Sequence, residues 1–234
     1  MRHFFYIGFL LTVTPLFSQN GDNLHKEDRG NIIIKQNNEI KGNDYLYDEW
    51  NKGMLVLNDS VFSIQDYLKY DVINDVVLIK NNGISNNVTD IIEINDKSVT
   101  GFSILEKEKN IKHDFVHLRR KNFKDDAENG FYEVVFNLKN TNYFIKKNSK
   151  ILFDPNRSKG SQTMNNYPLE YQDKITYYLK NSDGLYVEIK LKKKDITAVL
   201  NKHPKDVEIF IKLNKVNYGK EVDIAKLVNY YYEL

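Results

Sequence analysis

No cysteine occurs anywhere in the 234 residues. Disulfides, thiolate metal sites and cysteine nucleophiles are excluded by that absence, and so is a lipid-attachment cysteine behind an export signal. Charge of neither sign prevails, because 34 Lys and Arg stand against 32 Asp and Glu. The basic clusters Arg119-Arg120-Lys121, Lys146-Lys147 and Lys192-Lys193-Lys194 are separated by acidic or neutral sequence, so no electrostatic track for nucleic acid is expected. No apolar run of spanning length follows the N-terminal segment, and no transmembrane helix is expected there. A nucleophile elbow, a Gly-rich phosphate loop and a zinc-protease helix motif are also missing.

What is present begins with "MRHFFYIGFLLTVTPLFSQ": one basic residue, an apolar run from Phe4 to Val13, then Pro15 and a polar ending. That layout predicts a secretory signal peptide over 1–19, because a spanning helix needs about 20 predominantly apolar residues. Residues 20–44 are polar and charged and read as a mobile leader, with Ile32-Ile33-Ile34 as one peripheral strand. An exported domain without disulfides must rest on its own core. Hydrophobic residues at 41% and charged residues at 28% are enough for one in a chain of this length.

From Tyr45 to Leu191 short β-type runs alternate with turn residues. In "YLKYDVINDVVLIK" a two-residue loop at Asn74-Asp75 sets Val72 against Val77 and Tyr70 against Ile79, so Leu68, Tyr70, Val72, Val77 and Ile79 share one apolar face. A loop at Asp59-Ser60 pairs Leu57 with Phe62 and Leu55 with Ile64, and Asn95-Asp96 offers a third hairpin turn. Trp50, the only tryptophan, is expected as a plug at the mouth of the sheet. The aperiodic stretch 154–168 is expected to be a mobile loop.

The last forty residues change period. "KKKDITAVL", then "HPKDVEIFIKLNK" with Pro204 in its first turn, then "EVDIAKLVNYYYEL" with Ile224, Leu227, Val228 and Tyr231 on one stripe, read as short helices. The expected fold class is α+β, predominantly β: an antiparallel meander sheet, sandwich or partly open barrel, over 45–191, with two to three short C-terminal helices over 192–234 packed on it.

Several of these runs together, "MLVLNDSVF", "LKYDVINDVVLIK", "FYEVVFNLKNTNYFIKKN", "YYLKNSDGLYVEIKLKKKDITAVL" and "DIAKLVNYYYEL", resemble a family of exported, β-rich Gram-negative bacterial proteins with a C-terminal helical tail. The resemblance implies export and a shared fold. That family brings no established activity, ligand or catalytic residue with it.

Candidates for chemistry are few. His113 and His117 in "HDFVHLRR", beside Asp114, are the best metal candidates, yet residues four apart on a strand lie about 13 Å apart, too far to share an ion. His25 and His203 sit in the leader and at a helix boundary. Acidic groups cluster at Asp44, Asp48 and Glu49 and at Asp125, Asp126 and Glu128, without a spacing that selects a glycosidase pair. No catalytic, cofactor-binding or metal-binding residue is assigned. Tyr177-Tyr178 and Tyr230-Tyr231-Tyr232 are candidates for an aromatic contact surface. The expected function is a non-enzymatic binding or structural module of the cell envelope, periplasmic or envelope-associated. Its expected partner is another envelope protein or a glycan, met through the C-terminal helix or an aromatic edge. The alternative is a carboxylate-dependent hydrolase acting on glycan or peptide, using Asp48 or Glu49 with Asp71.

Overall fold

A computed structural model describes residues 40–57, 60–81, 90–94, 99–157 and 167–234. Among the described residues ten strands form one antiparallel sheet: β1 (Asn51–Leu57), β2 (Ser60–Asp71), β3 (Val76–Asn81), β4 (Asp90–Ile94), β5 (Val99–Glu106), β6 (Ile111–Leu118), β7 (Gly130–Leu138), β8 (Thr141–Phe153), β9 (Glu170–Lys180) and β10 (Tyr186–Ile189). Three helices close the chain: α1 (Lys193–Val199), α2 (Pro204–Asn214) and α3 (Glu221–Glu233). The α+β, predominantly β class expected from the sequence is what the chain adopts. The signal segment, Ile32-Ile33-Ile34 and His25 lie outside the described residues.

The strand order is β10-β9-β8-β7-β6-β5-β1-β2-β3-β4, so the meander is broken once. The turn expected at Asn95-Asp96, itself outside the described residues, does not join neighbouring strands, since β4 ends the sheet and β5 pairs with β1 and β6. The reason lies in β5. Val99, Gly101, Phe102, Ser103, Ile104 and Glu106 are buried, and a strand so buried needs a neighbour on each side. Gly53 on β1 permits the approach, because a Cβ there would lie 2.4 Å from the Ser103 carbonyl oxygen and 2.5 Å from Leu68 Cδ1.

Register also departs from expectation, by two residues in each of the first two hairpins. Tyr70 faces Val77 and Leu68 faces Ile79, so Val72–Asp75 form a four-residue turn. Leu55 faces Phe62 and Leu57 faces Ser60, which moves that loop back to residues outside the description. A shift of two preserves which face each side chain takes, and Leu68, Tyr70, Val72, Val77 and Ile79 are all buried as expected. The longer turn is favoured by Asp71, whose Oδ1 accepts from the backbone N–H of Ile73 and of Asn74 at 3.0 and 2.9 Å.

The sheet is open at its two ends yet rolled. Tyr70 on β2 and Phe131 on β7 are four places apart in the strand order, about 19 Å on a flat sheet, but their ring centroids lie 6.0 Å apart. Tyr70, Phe102, Phe115 and Phe131 fill the roll with Leu55, Leu68 and Ile104. The β2–β3 turn reaches across to β7 and β8. There the Asp75 carboxylate accepts from Lys147 Nζ at 2.7 Å, from the Phe131 N–H at 3.2 Å and from the Tyr70 hydroxyl. Gly130 makes room: a Cβ would stand 2.0 Å from Asp75 Oδ2, and its φ of +151° lies where L side chains are strained.

Helices cover one face of β7–β10. Ile196 and Val199 of α1, Val207 and Ile211 of α2, and Ile224, Leu227, Val228 and Tyr231 of α3 pack with Phe144, Leu179 and Ile189. The stripe read in the sequence is thus spent inside the molecule. On the opposite face Phe123, before the start of β7, packs with Tyr132, Ile145, Tyr178 and Tyr186. Residues 40–44, read as the end of a leader, are tied down: the Lys41 N–H donates to the Leu169 carbonyl at 2.7 Å and the Asp44 carbonyl accepts from Val72 at 2.9 Å. At the neck of the 154–168 stretch, the Asn156 amide donates to the Tyr167 carbonyl at 2.8 Å and accepts from its N–H at 3.0 Å.

Two stability outcomes follow. Leu227→Ala opens a cavity between helix and sheet and is expected to cost about 2–5 kcal/mol in urea unfolding. Gly130→Ala is expected to lower the midpoint by displacing the Asp75 clasp, by about 1–3 kcal/mol. A Leu227→Ala protein whose sheet signal melts at the wild-type temperature would mean that the helices fold apart from the sheet.

Candidate functional site

Strand alternation on β6 sends His113, Phe115 and His117 to the inner face and Lys112 and Asp114 outward, where those two pair at 2.7 Å. His113 then meets acidic groups from both neighbouring strands. Its Nδ1 lies 2.8 Å from Glu133 Oε1 on β7 and its Nε2 lies 3.2 Å from Glu106 Oε2 at the end of β5. With a carboxylate oxygen against each ring nitrogen, the geometry favours the protonated imidazole, which can donate at both. The Tyr47 ring packs 5.7 Å away.

The pairs continue across the sheet. Lys146 on β8, opposite Glu133 in register, places Nζ 3.2 Å from Glu133 Oε1 and 3.1 Å from Glu221 Oε1 in the first turn of α3. Asn148 donates to Glu133 Oε2 at 2.7 Å, and the Tyr177 hydroxyl donates to Glu221 Oε1 at 2.8 Å. Lys109 pairs with Glu106 at 2.7 Å at the other end. Signs therefore alternate from β5 to the C-terminal helix: Lys109, Glu106, His113, Glu133, Lys146, Glu221.

Each shift has a physical cause. The hydrogen bond to Glu133 leads in raising His113 above its ordinary 6.5, against the opposing cost of burial. Burial pushes Glu133 up, but the His113 hydrogen bond, the Lys146 charge and the Asn148 amide together outweigh it and hold the carboxyl below the usual range. Glu106 is held low first by its hydrogen bond from Lys109. Burial, with the charges of Glu133 and Glu106 beside it, pushes the Tyr47 hydroxyl far above its ordinary value.

This arrangement can hold an ion-pair chain together; it offers little to a substrate. Every polar atom of the His113 ring is committed, and its side chain is 17% exposed. Among the described residues no group of three or more His, Asp or Glu is arranged to hold a metal ion. Two surface concavities lie elsewhere. One, of about 400 Å³, is lined by Lys124, Asp183, Glu188 and Asp195; the other, of about 520 Å³, runs along α2 and α3 past Phe136, Phe210, Val222 and Tyr230.

Other candidates take ordinary places. His117 sets its ring against Phe131 at 5.1 Å, away from His113's partners. His203 lies 6.1 Å from the Tyr231 ring. Asp48 accepts from the Asn43 amide, Asp71 caps its turn, and Asp126 pairs with Arg120. Tyr177 joins the ion-pair chain while Tyr178 is buried on the opposite face. Tyr230 stacks on Phe210 at 4.5 Å, Tyr232 stacks on Tyr143 at 3.8 Å, and Tyr231 is core. Trp50 is no plug: it is half-buried outside the cores, 5.6 Å from Lys69 Nζ. Glu106 and Glu133 escaped the sequence reading because only the pairing of β5, β6 and β7 brings them to His113.

The network's stabilising effect has a pH window. His113, with its folded pKa raised, contributes fully below about 6.5, and the contribution is lost as pH rises through the raised value. Glu133 and Glu106, lowered from 4.5, contribute above that value and lose it as pH falls through their lowered values. Stability from this chain is therefore greatest between about pH 4.5 and 6.5. His113→Gln is expected to cost about 1–3 kcal/mol at pH 6 and to flatten the decline above pH 6.5, measured by urea unfolding across that range. A slope unchanged in the variant would assign the pH dependence to other groups.

No family model matches the chain, and no curated protein or solved structure matches it either.

Proposed function

We propose that this is an exported, non-enzymatic binding protein of the cell envelope. The observation that carries the reading is the self-satisfied His113 chain. General acid–base catalysis needs a group free to exchange a proton with the substrate, and here the histidine with acidic neighbours spends both nitrogens on Glu106 and Glu133. The carboxylate nominated for a hydrolase, Asp71, is 7% exposed and accepts from Ile73, Asn74 and the Asn74 amide. Export is supported by the signal-like "MRHFFYIGFLLTVTPLFSQ". Among the described residues no helix is long and apolar enough to cross a membrane.

A binding protein must keep surface unspent, and the apolar stripe of α3 is not that surface. Val222 at 56%, Ile209 at 53% and Leu213 at 77% exposure remain outward on the helices, and Ile91 at 58% on the edge strand β4. In-cell crosslinking followed by mass spectrometry is expected to recover an envelope protein or glycan, and fractionation to find the processed chain outside the cytosol. Cleavage of a cell-wall or polysaccharide substrate by purified protein, abolished by His113→Gln or Glu133→Gln in folded variants, would replace this reading with a hydrolase.

A further inference from the structure

The outer face of β1–β3 carries a pattern that packing does not require. Register places Lys52 on β1, Tyr67 on β2 and Lys80 on β3 directly opposite one another, with the inner neighbours Asn51, Leu68 and Ile79 buried. Lys52 and Tyr67 are exposed, and Lys80 is half-exposed. The two ammonium-bearing strands are two places apart, roughly 9.6 Å, with the Tyr67 ring between them. Lys69, two residues beyond Tyr67 on the same face, holds its ammonium 4.3 Å from the Tyr45 ring centroid and 5.6 Å from that of Trp50. Among the described residues none of the three lysines is in an ion pair, and what sets them apart is that Lys52 and Lys80 flank Tyr67 in register while Lys69 lies against two aromatic rings.

We propose that this face binds an anionic polysaccharide, one whose sugar rings bear carboxylate groups. Three cations on one face, none of them in an ion pair among the described residues, select a polyanion, and the roughly 9.6 Å between the strands of Lys52 and Lys80, on the scale of two pyranose rings, suits a chain that repeats its charge along its length. Tyr67 supplies a flat face for the C–H side of a sugar ring, with a polar edge left for its hydroxyls, while Tyr45 and Trp50 position the Lys69 ammonium. Lys69 is already held against two aromatic rings, so little side-chain freedom remains to be lost on binding. A nucleic acid fits less well, because the chain's net charge of +2 gives no extended basic track along a phosphate backbone. The inference rests on the reading of the protein as a binding module and names the ligand class for one face of it.

The test is affinity electrophoresis of the full mature chain in gels containing polygalacturonate, with neutral dextran and single-stranded DNA in parallel gels. Polygalacturonate is expected to retard the protein, dextran to leave it unretarded, and rising salt to weaken the effect. Lys52→Gln and Lys80→Gln are each expected to weaken binding about threefold to tenfold, and Tyr67→Ala about tenfold, with unchanged melting temperatures. Lys205→Gln on α2 is the control and should behave as wild type. Retardation equal in dextran, retardation in DNA that the face variants do not alter relative to polygalacturonate, or face variants indistinguishable from wild type would overturn the proposal. If polygalacturonate fails while crosslinking recovers an envelope protein, this ligand is wrong and the binding function stands. If the protein instead cleaves polygalacturonate and loses that activity on Glu133→Gln, the binding reading itself falls.

Discussion

The roll of the sheet depends on one carboxylate. Asp75, in left-handed backbone with φ of 58°, gathers the Tyr70 hydroxyl, the Phe131 N–H and Lys147 Nζ, and so joins the β2–β3 turn to β7 and β8. Beside it, the Lys147 ammonium also reaches the Tyr70 hydroxyl at 3.5 Å, so the approach of two strands that the order sets four places apart is accompanied by polar partners. With it, Tyr70 stands against Phe102, Phe115 and Phe131 at centroid distances of 5.2, 5.5 and 6.0 Å, and the interior is filled by rings. Partial burial of the ion pair is tolerable because its remaining acceptor capacity goes to a backbone N–H and a phenol.

The His113 chain does for the helical side what Asp75 does for the roll. Lys146 is the hinge of it, taking Glu133 from the sheet and Glu221 from α3. Apolar burial sets how strongly α3 adheres, whereas the Lys146–Glu221 and Tyr177–Glu221 contacts fix where along the strands its first turn sits. Hydrophobic packing is non-directional, and charged hydrogen bonds supply the direction it lacks.

What the sequence made legible was whatever a local period encodes. Alternation marked the buried faces of β2 and β3, and the spacing of Ile224, Leu227, Val228 and Tyr231 marked the inner stripe of α3. Turn length was misread because Asn74-Asp75 resembles a two-residue loop, while Asp71 and Asp75 each have work that needs four turn residues. Partner choice was not legible at all. Nothing near Val99 says that β5 pairs with β1 rather than β4; the nearest hint is Gly53, a gap in an otherwise well-filled strand that only another backbone explains. The candidate site shared that fate, since its acidic members lie on strands flanking His113 and carry no motif of their own.

The insertion of β5 beside β1 also constrains the order of events during folding. Gly53 meets Ile104, a partner about fifty residues away, whereas the hairpin to β2 closes over a handful. Until that contact forms, the edge of β1 that β5 occupies is open. A chain released into a crowded compartment in this state exposes a template for pairing with its own copies. The β1–β5 seam is thus the least local strand pairing of the described sheet, and the contact whose loss would uncover an interior edge on both strands.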